Sequence, residues 1–456
     1  MSAGGQAGEL ELVRRGDPGY EEVRAGMVWN ARKPARSPEV IVRAADERDV
    51  ARAVRLARSA GMPVAVRAGG HNWIGCSLRE GGMLIDLSRL RGCAVDAASG
   101  TAVVGPAVTG RELAAALAGR DLAFPVGHCG SVAVGGYLTS GGLGWNPGAW
   151  GPACGGVVGV EAVTADGELV RCDERDNADL FWAARGAGAG LFAVVTRFRL
   201  ALRRAPAVIV RSAYVFALEE VERVASWVEE VAAVLPAPVE LSVIVGTQAD
   251  GSGRKVVSVT ATCFAGSREE AGRSLEAFAA CPWAGRALER TREEPVGFDA
   301  LLDASDGVWR HGDRCAADTL WSERGLAAVL PPLARELARA PSDRSLVLAS
   351  PAPAGPGRGA ADMAFSVLGS SYVVGYAIWD DPADDAANEG WLRTAMDGVA
   401  PLGSGHYIAE TDLLAGPDRV RRSFAPAAWE RLGRLRGRWD PDGVFAPFPR
   451  EAWRSG

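Results

Sequence analysis

The sequence predicts an α+β protein, and three observations lead to that fold class. The chain has 456 residues, which is enough for two or three domains rather than one. Before about residue 205, short apolar segments alternate with helical patterns and glycine-rich turns. After Pro206, longer valine-rich segments recur at regular spacing, which is typical of an antiparallel sheet covered by helices.

The first part of the chain is predicted from the alternation between strand and helix periods. In residues 45–60, Val50, Val54 and Ala57 share one face, and Gly61 follows as a stop signal. Strands are expected at 40–42, 62–66, 83–87, 101–104, 157–164 and 192–198, and helices at 45–60, 111–118 and 180–184. This order, with glycine-rich loops after strands, indicates an α+β nucleotide-binding domain.

The second part is predicted as a sheet with helices on it. Its helix at 218–234 carries a valine stripe at helical spacing. The expected strands are 208–215, 239–245, 255–263 and 364–379, the last interrupted at Gly369, and a second helix is expected at 267–280. The pattern differs enough from the first part to predict a separate domain.

Composition and charge argue against several classes of protein. The formal net charge of −6 argues against a nucleic-acid-binding surface, which would be basic. No run of about eighteen apolar residues occurs, so no membrane span is expected. The first ten residues show no basic stretch followed by an apolar one. We therefore expect no secretory signal, a cytoplasmic location and reduced cysteines.

Two glycine-rich segments about sixty residues apart each carry one nucleophile. His71 lies in segment 67–77, and Cys129 lies in segment 127–144. Glycines there allow positive φ and let backbone N–H groups approach a ligand closely, which suits a pyrophosphate. Because each segment also carries a nucleophilic side chain, we expect the ligand to be held covalently as well.

Other nucleotide sites and metal sites are not expected. Gly186, Gly188 and Gly190 are followed by Leu191, where a G-x-G-x-x-G fingerprint requires its last glycine. The chain contains no G-x-x-x-x-G-K-(S/T) sequence. It also contains no H-E-x-x-H sequence and no cysteine set with zinc-type spacing. A dinucleotide-binding Rossmann domain, a P-loop and a catalytic metal are therefore not predicted.

The two nucleophile segments resemble the berberine bridge enzyme-like oxidases of the vanillyl-alcohol-oxidase superfamily. The matching patterns are R-x-G-G-H-x-x-x-G-x-S at 67–77 and C-x-x-V-x-x-G-G…G-G-x-G at 129–144. The resemblance implies a PCMH-type FAD-binding domain followed by an antiparallel-sheet substrate domain. It also implies that FAD is attached covalently through both His71 and Cys129.

The resemblance also implies which residues bind the cofactor and where the domains divide. A third pattern, D-L-F-W-A-x-R-G-x-G-x-G…V-V-T-x-F at 179–198, closes the FAD domain in the family. The implied domains are 1–205 for FAD, with a core at about 34–202, then 206–414 for the substrate, and 415–456 returning to the FAD domain. Besides His71 and Cys129, the expected cofactor-binding residues are Arg67, Ala68, Gly69, Gly70, Asn72, Gly75, Ser77, Gly127, Val132, Gly135, Gly136, Gly141, Gly142, Gly144 and Val195.

Val132, three residues after Cys129, matches a position that the family uses as an oxygen gate near the flavin. By this resemblance, valine accompanies members that react with dioxygen, and leucine accompanies members that react poorly. O2 is therefore the expected electron acceptor. Core packing is the alternative explanation for this valine.

The catalytic base is the point at which the sequence departs from the family. The family pattern Y-x-N-Y corresponds to Tyr407-Ile-Ala-Glu410, so a glutamate replaces the second tyrosine. A partly desolvated glutamate with a raised pKa can still accept a proton, so Glu410 and Tyr407 are both candidates. A surface or ion-paired role is the alternative for Glu410. Tyr376 and Tyr372, on a predicted strand, are further candidates, with core packing as their alternative.

The expectation is an FAD-dependent oxidase that acts on a small organic molecule. A base removes a proton, a hydride passes to the flavin, and O2 becomes H2O2. By resemblance and composition, the expected setting is alcohol oxidation or oxidative cyclisation in secondary metabolism. Two alternatives stay open, a flavin dehydrogenase with another acceptor and a flavin-containing binding protein without turnover. A monomer or homodimer without nucleic-acid or membrane partners is expected.

Overall fold

The computed structural model describes residues 9–352 and 362–453, and the strands in these ranges form three large sheets and one two-stranded pair. The amino-terminal residues 1–8, on which the expected lack of a secretory signal partly depends, lie outside these ranges. In the described ranges, no helix combines the length and apolar character that crossing a bilayer requires. One mixed sheet, antiparallel sheets and flanking helices confirm the predicted α+β class.

The first sheet is mixed and holds the strand that leads to His71. Its strands are β1 Leu12–Arg14, β2 Val40–Arg43, β3 Val64–Arg67 and β4 Met83–Asp86, in the order β1-β2-β4-β3. β2 and β3 run parallel to β4, and β1 is antiparallel to β2. Helix α1 spans Tyr20–Gly26, and α2 spans Glu47–Ser59. The Asp46 carboxylate caps α2 by accepting two main-chain N–H groups.

The second sheet is antiparallel and follows the first along the chain. The next strands are β5 Cys93–Asp96, β6 Thr101–Val104, β7 Leu122–Ala123, β8 Val157–Val163, β9 Leu169–Cys172 and β10 Val194–Ala201. Five of them form the sheet β5-β6-β10-β8-β9, while β7 pairs with β11 Arg203–Arg204. The helices are α3 Gly110–Leu117, α4 Val134–Thr139, α5 Pro147–Trp150 and α6 Ala178–Ala184.

The third sheet has seven antiparallel strands in the order β15-β12-β14-β13-β17-β18-β16. These strands are β12 Val208–Ala217, β13 Val239–Thr247, β14 Lys255–Ala265, β15 Glu289–Pro295, β16 Arg314–Ser322, β17 Leu346–Pro351 and β18 Ser371–Trp379. The helices of this part are α7 Val221–Ala232, α8 Arg268–Ala279, α9 Phe298–Val308, α10 Leu326–Leu337 and α11 Asp385–Val399. Apolar residues of α7, α8, α10 and α11 share one core with this sheet.

The carboxyl-terminal segment runs beside the first sheet. After α12 Pro417–Arg421 and α13 Pro426–Trp439, the chain runs beside β3. Val64 N–H donates to the carbonyl of Val444 at 2.7 Å, and Ala446 N–H donates to the carbonyl of Val64 at 3.0 Å. A segment from the far end of the sequence therefore completes the edge of the sheet that carries the His71 loop.

Four strands of the third sheet differ from the predicted elements. The strand expected from residue 364 begins only at Ser371, and residues 365–369 form no regular element. Strands β15, β16 and β17 were not predicted, and β16 is buried along nearly its whole length and lacks alternation. Strands β16 and β18 matter for function, because they hold side chains at the candidate site.

Candidate active site

A cavity of about 660 Å³ lies between the loops of the first two sheets and one face of the third sheet. This volume falls within the range of about 300–1,000 Å³ that is usual for small-molecule sites. The predicted cofactor-binding residues in its lining are Arg67, Ala68, Gly69, Gly70, His71, Asn72, Ser77, Gly127, Cys129, Val132, Gly135, Gly136, Gly144 and Val195. The catalytic candidates Tyr376, Tyr407 and Glu410 also line it, whereas Gly75, Gly141 and Gly142 lie outside the lining.

Several of the glycines in these loops are required by close packing. A Cβ on Gly69 would lie 2.6 Å from the Cβ of Ala133 in the other loop, and Gly70 has φ of +72° with the Met27 carbonyl 2.2 Å from the position of a Cβ. Gly136 differs, because nothing lies within 4 Å of the position of a Cβ there. Gly69 therefore lets the two nucleophile loops pack closely, and Gly136 opens space at the cavity.

Arg67 anchors the start of the His71 loop at the end of β3. Its guanidinium pairs with the buried Asp86 carboxylate at 3.1 Å and donates to the carbonyls of Met27 at 3.2 Å and Gly69 at 3.1 Å. Asp86 ends the neighbouring strand β4, so the ion pair ties the ends of two parallel strands together. The Arg67 side chain thus orients the loop through its main chain.

His71 is held between an indole and a hydroxyl. Its ring stacks on Trp29 with centroids 4.8 Å apart, and its Nε2 lies 2.9 Å from Ser131 Oγ. Ser131 belongs to the Cys129 loop, so this contact joins the two nucleophile segments. Burial lowers the pKa of His71 to about 4, against a weaker opposing effect of the Asp306 carboxylate. The imidazole is therefore neutral at pH 7 and keeps a free lone pair.

Cys129 is half-buried and protonated in the protein without flavin. Burial raises the pKa of its thiol, and the carboxylates of Asp306 and Glu410 act in the same direction. Asp306 also accepts the main-chain N–H of Gly130 at 3.1 Å, which fixes the loop beside the thiol. The neighbouring Val132 lines the cavity, and its carbonyl accepts the N–H of Gly110 at 2.9 Å.

His128 connects the Cys129 loop to the third sheet. Its Nε2 lies 2.8 Å from Glu240 Oε1, and Glu240 Oε2 accepts the main-chain N–H of Asn146 at 2.8 Å. Burial opposes protonation of His128, but the Glu240 carboxylate outweighs it and raises the pKa of the imidazole. Glu240 lies on β13, so this bridge spans the cavity wall between the two parts of the chain. The sequence did not single out Glu240.

Glu410 is the centre of the opposite wall. Its Oε2 accepts hydrogen bonds from the hydroxyls of Tyr372 at 2.7 Å and Tyr376 at 3.4 Å. The two tyrosines lie four residues apart on β18 and face the same side of the sheet. Burial raises the pKa of Glu410, whereas the Tyr372 bond, the His128 charge and the Tyr376 bond oppose that rise. The carboxylate can therefore accept a proton more readily than an exposed glutamate can.

Tyr407 lies beside Glu410 in sequence but its hydroxyl has different partners. The hydroxyl oxygen accepts the main-chain N–H groups of Gly142 at 3.1 Å and Leu143 at 3.3 Å. Burial and the Glu410 carboxylate raise the pKa of Tyr407, and the two N–H groups counteract them. No described residue accepts the Tyr407 proton. Gly142, outside the cavity lining, therefore acts on the site through this tyrosine.

A buried ion pair supports the turn that carries Tyr407 and Glu410. Asp318 on β16 accepts the Thr411 hydroxyl at 2.6 Å and the Asp412 N–H at 3.1 Å. Arg419 lies 2.9 Å from the same carboxylate. Asp318 is fully buried, so its charge depends on these partners. Neither Asp318 nor Arg419 was predicted, because no local pattern marks a contact across 101 residues.

Tryptophan side chains form much of the wall between the two nucleophiles and Glu410. Tyr376 packs against Trp73 at 5.3 Å and Trp309 at 5.1 Å between ring centroids. Trp29, which stacks on His71, lies edge-on to Trp73 at 5.9 Å. Sequence reasoning missed this aromatic wall. The one sequence feature that could have predicted it is Trp73, which lies two residues after His71 in the chain.

These features fit an FAD and a substrate in one cavity. The neutral imidazole and the thiol lie on interlocked loops, and Gly136 leaves room at the wall. Asn72 links the two sides, since its amide donates to the Ala409 carbonyl at 3.1 Å, one residue before Glu410. The cavity therefore combines the His71 and Cys129 loops, which could bind a flavin, with Glu410 as a proton acceptor.

Comparisons with known proteins agree with this geometry. A family model described as "FAD binding domain" matches residues 38–173. The chain is 31% identical over 436 residues to the FAD-linked oxidoreductase ptmO of Penicillium ochrochloron, which covers 95% of each chain. Two solved structures share the fold. The 6-hydroxy-D-nicotine oxidase of Arthrobacter nicotinovorans has a TM-score of 0.83 at 21% identity, covering 98% of each chain. The protein BBE-like #28 of Arabidopsis thaliana has a TM-score of 0.85 at 21% identity, covering 96% of this chain and 97% of that one.

Proposed function

This chain belongs to the berberine bridge enzyme-like FAD-linked oxidoreductases, and we propose that it oxidises a small organic substrate and delivers the electrons to dioxygen. The observation that carries the proposal is Glu410, which accepts the hydroxyls of Tyr372 and Tyr376 in a cavity shared with His71 and Cys129. A buried proton acceptor opposite two flavin-attachment candidates is what a substrate oxidation needs.

In this proposal, His71 and Cys129 hold the cofactor through one covalent bond each. His71 is suited to its role because its pKa of about 4 leaves the ring neutral. Cys129 must lose its thiol proton before its sulfur can bond carbon, and burial makes that loss costly. When bound, FAD supplies the ring that accepts a hydride equivalent from the substrate and passes the electron pair to O2, giving H2O2.

Glu410 is the base in this proposal, and it removes the substrate proton as the hydride leaves. Its raised pKa makes the carboxylate a stronger proton acceptor, while the Tyr372 and Tyr376 hydroxyls hold it in place. Tyr407 is the alternative base, since its oxygen is held by two N–H groups and its proton has no acceptor among the described residues. The aromatic wall excludes water and positions the substrate.

Val132 supports dioxygen as the acceptor in this proposal. Its side chain is half-buried and lines the cavity next to the Cys129 loop, where a larger residue would fill space. The division into segments 1–205, 206–414 and 415–456 as domains, a role in secondary metabolism, a cytoplasmic location and a monomeric or homodimeric state belong to the same proposal. They rest on the sequence pattern and the family.

An anaerobic screen of candidate metabolites against the yellow protein tests the proposed reaction. A true substrate should bleach the flavin absorbance, and admission of air should restore it with one H2O2 released per substrate oxidised. Slow recovery in air combined with fast electron transfer to a quinone would instead identify a dehydrogenase. Tight binding of such a compound without bleaching would identify a binding protein.

A further inference from the structure

Two arginine side chains, Arg36 and Arg79, contact the same aromatic ring. Their guanidinium carbons lie 4.8 Å and 4.3 Å from the centroid of the Phe448 ring. Arg79 also lines the cavity, as does Ser77 two residues before it. Two positive charges are therefore close together, and that of Arg79 is at the cavity wall.

Main-chain carbonyls are the only hydrogen-bond acceptors of these arginines among the described residues. Arg36 donates to the carbonyls of Leu78 and Ile74, both at 2.7 Å, and of Gly75 at 3.0 Å. Arg79 donates to the carbonyl of Cys76, and its Nε is buried without a partner. No carboxylate in residues 9–352 and 362–453 forms an ion pair with either guanidinium. Within the described part of the chain, no carboxylate therefore balances these two charges.

Unbalanced buried charge at this position is costly. Burial lowers the pKa of both arginines, to about 10 for Arg79, and the Arg36 charge contributes to that shift. Buried arginines are usually paired with a carboxylate. Arg67, at the start of the same loop, is an example, because the Asp86 carboxylate lies 3.1 Å from its guanidinium. An anion bound in the cavity would pair with the Arg79 guanidinium and so offset the free-energy cost of burying that charge. The same ion pair would contribute to the affinity for the anion.

The position of Arg79 indicates whether its anionic partner belongs to the cofactor or to the substrate. Arg79 follows Ser77 on the loop that contains Gly69 and Gly70, and it contacts the carboxyl-terminal segment beside β3. Glu410, the candidate base for a substrate, is bonded instead to Tyr372 and Tyr376 of the third sheet. A guanidinium matches phosphate oxygens through paired N–H groups. An anionic part of the cofactor suits this wall better than an anionic substrate does.

We propose that Arg79 binds the pyrophosphate of FAD and that Arg36 is a positioning residue that holds the Phe448 ring and the Cys76–Arg79 turn behind it. The proposal rests on FAD as the cofactor of this family. The guanidinium charge of Arg79 at the cavity wall, with that of Arg36 close behind it, would attract the negative charge of the pyrophosphate. Arg79 was not among the residues that the family patterns mark, because it lies beyond the end of the 67–77 motif.

Binding measurements can test this proposal separately from turnover. The background is His71→Ala/Cys129→Ala, in which flavin binding is reversible, prepared without flavin. In it, Arg79→Met should weaken FAD and ADP about 10- to 100-fold, the effect of losing charge-assisted hydrogen bonds. Riboflavin, which has no phosphate, should bind equally to both proteins. Arg79→Met should also raise the melting temperature of the flavin-free protein and lower that of the FAD-loaded protein.

The matched control is Arg211→Met, a cavity-lining arginine that already pairs with Glu294 at 2.5 Å. It should leave FAD and riboflavin affinities unchanged. Arg79→Lys keeps the positive charge, so it should retain part of the FAD affinity that Arg79→Met loses. It replaces Arg79→Met in the comparison if that variant folds poorly. Equal losses for FAD and riboflavin, or no loss for FAD, would overturn the proposal. Weaker binding of inorganic phosphate with unchanged FAD binding would also overturn it, since the site would then be a general anion site.

Discussion

The two walls of the cavity are built in different ways. The wall of His71 and Cys129 comes from two continuous glycine-rich segments whose motifs can be recognised locally, and His71 contacts Ser131 of the second segment. The wall of Glu410 is assembled from a strand, a turn and a buried ion pair that are far apart in sequence. The comparison shows that the cofactor side is specified locally, whereas the substrate side depends on the tertiary fold.

The electrostatics of the two walls differ as well. On the first wall, burial lowers the pKa of His71 and raises that of Cys129, so both nucleophiles are uncharged at pH 7. On the second wall, a carboxylate with a raised pKa is surrounded by hydroxyl donors. Changes on the first wall should therefore alter how the cofactor is held. Changes on the second should alter how fast it is reduced.

The largest effect is expected on the cofactor wall. His71→Ala/Cys129→Ala should lose all covalent flavin, because no attachment atom is left, while each single variant should keep one link. Acid precipitation followed by absorbance of the supernatant, together with intact-protein mass, measures this directly. Wild-type protein should stay yellow and carry the mass of one FAD. Free FAD released from denatured wild-type protein would contradict bicovalent attachment.

The next effect is expected on the substrate wall. Glu410→Gln keeps the shape but removes the proton acceptor, so flavin reduction should slow by about 10²- to 10⁴-fold. Stopped-flow mixing under anaerobic conditions measures that step, and reoxidation by O2 should be unchanged. Tyr407→Phe is the companion variant. If it slows reduction while Glu410→Gln does not, the base is Tyr407, whose oxygen accepts two N–H groups.

A smaller effect is expected where the two walls meet at Val132. Val132→Leu adds a methylene to a side chain that lines the cavity, and we expect it to fill the space that O2 uses. Reoxidation should slow by about tenfold or more, the discrimination that one methylene can give in a tight pocket. Flavin reduction by substrate should change little. The control is Val132→Ala, which should reoxidise at least as fast as the wild type.

The smallest expected effect is a shift in the pH dependence of flavin reduction. Its size should differ between the two tyrosines that donate to Glu410. Glu410 must be ionised to act as a base, so flavin reduction should fall as the pH drops through its pKa, which lies above 4.5. The hydroxyl of Tyr372 stabilises the ionised form, so Tyr372→Phe should raise that pKa. The acid limb should then move upward by about one pH unit.

The matched variant for this shift is Tyr376→Phe. Its hydroxyl lies 3.4 Å from Glu410, against 2.7 Å for Tyr372, so the acid limb should move less. The comparison is made on the same strand and the same face of β18. No shift, or a shift toward lower pH, would show that these hydroxyls do not stabilise the ionised carboxylate, and equal upward shifts would show that the difference in distance has no effect.

The difference between the walls also explains what the sequence could predict. His71, Cys129 and their glycines form patterns that are visible without a structure, and the strands around them follow from periodicity. Asp318, Arg419 and Glu240 could not be found in this way, because their contacts join segments that no local pattern relates. The proposed role of Tyr372 needed the register of β18 against the turn at Glu410, which is set by packing.

The return of the chain to β3 has a consequence for the order of events during synthesis. Val64 hydrogen-bonds Val444 and Ala446, and Phe445 lines the cavity. About 380 residues separate these partners, so at about 5–20 residues per second the ribosome reaches the second roughly 20 to 80 s after the first. The cofactor wall is complete only after residues 444–446 have been synthesised. The protein should therefore bind flavin fully only after this segment has been synthesised. Cells short of riboflavin should accumulate folded protein without bound flavin.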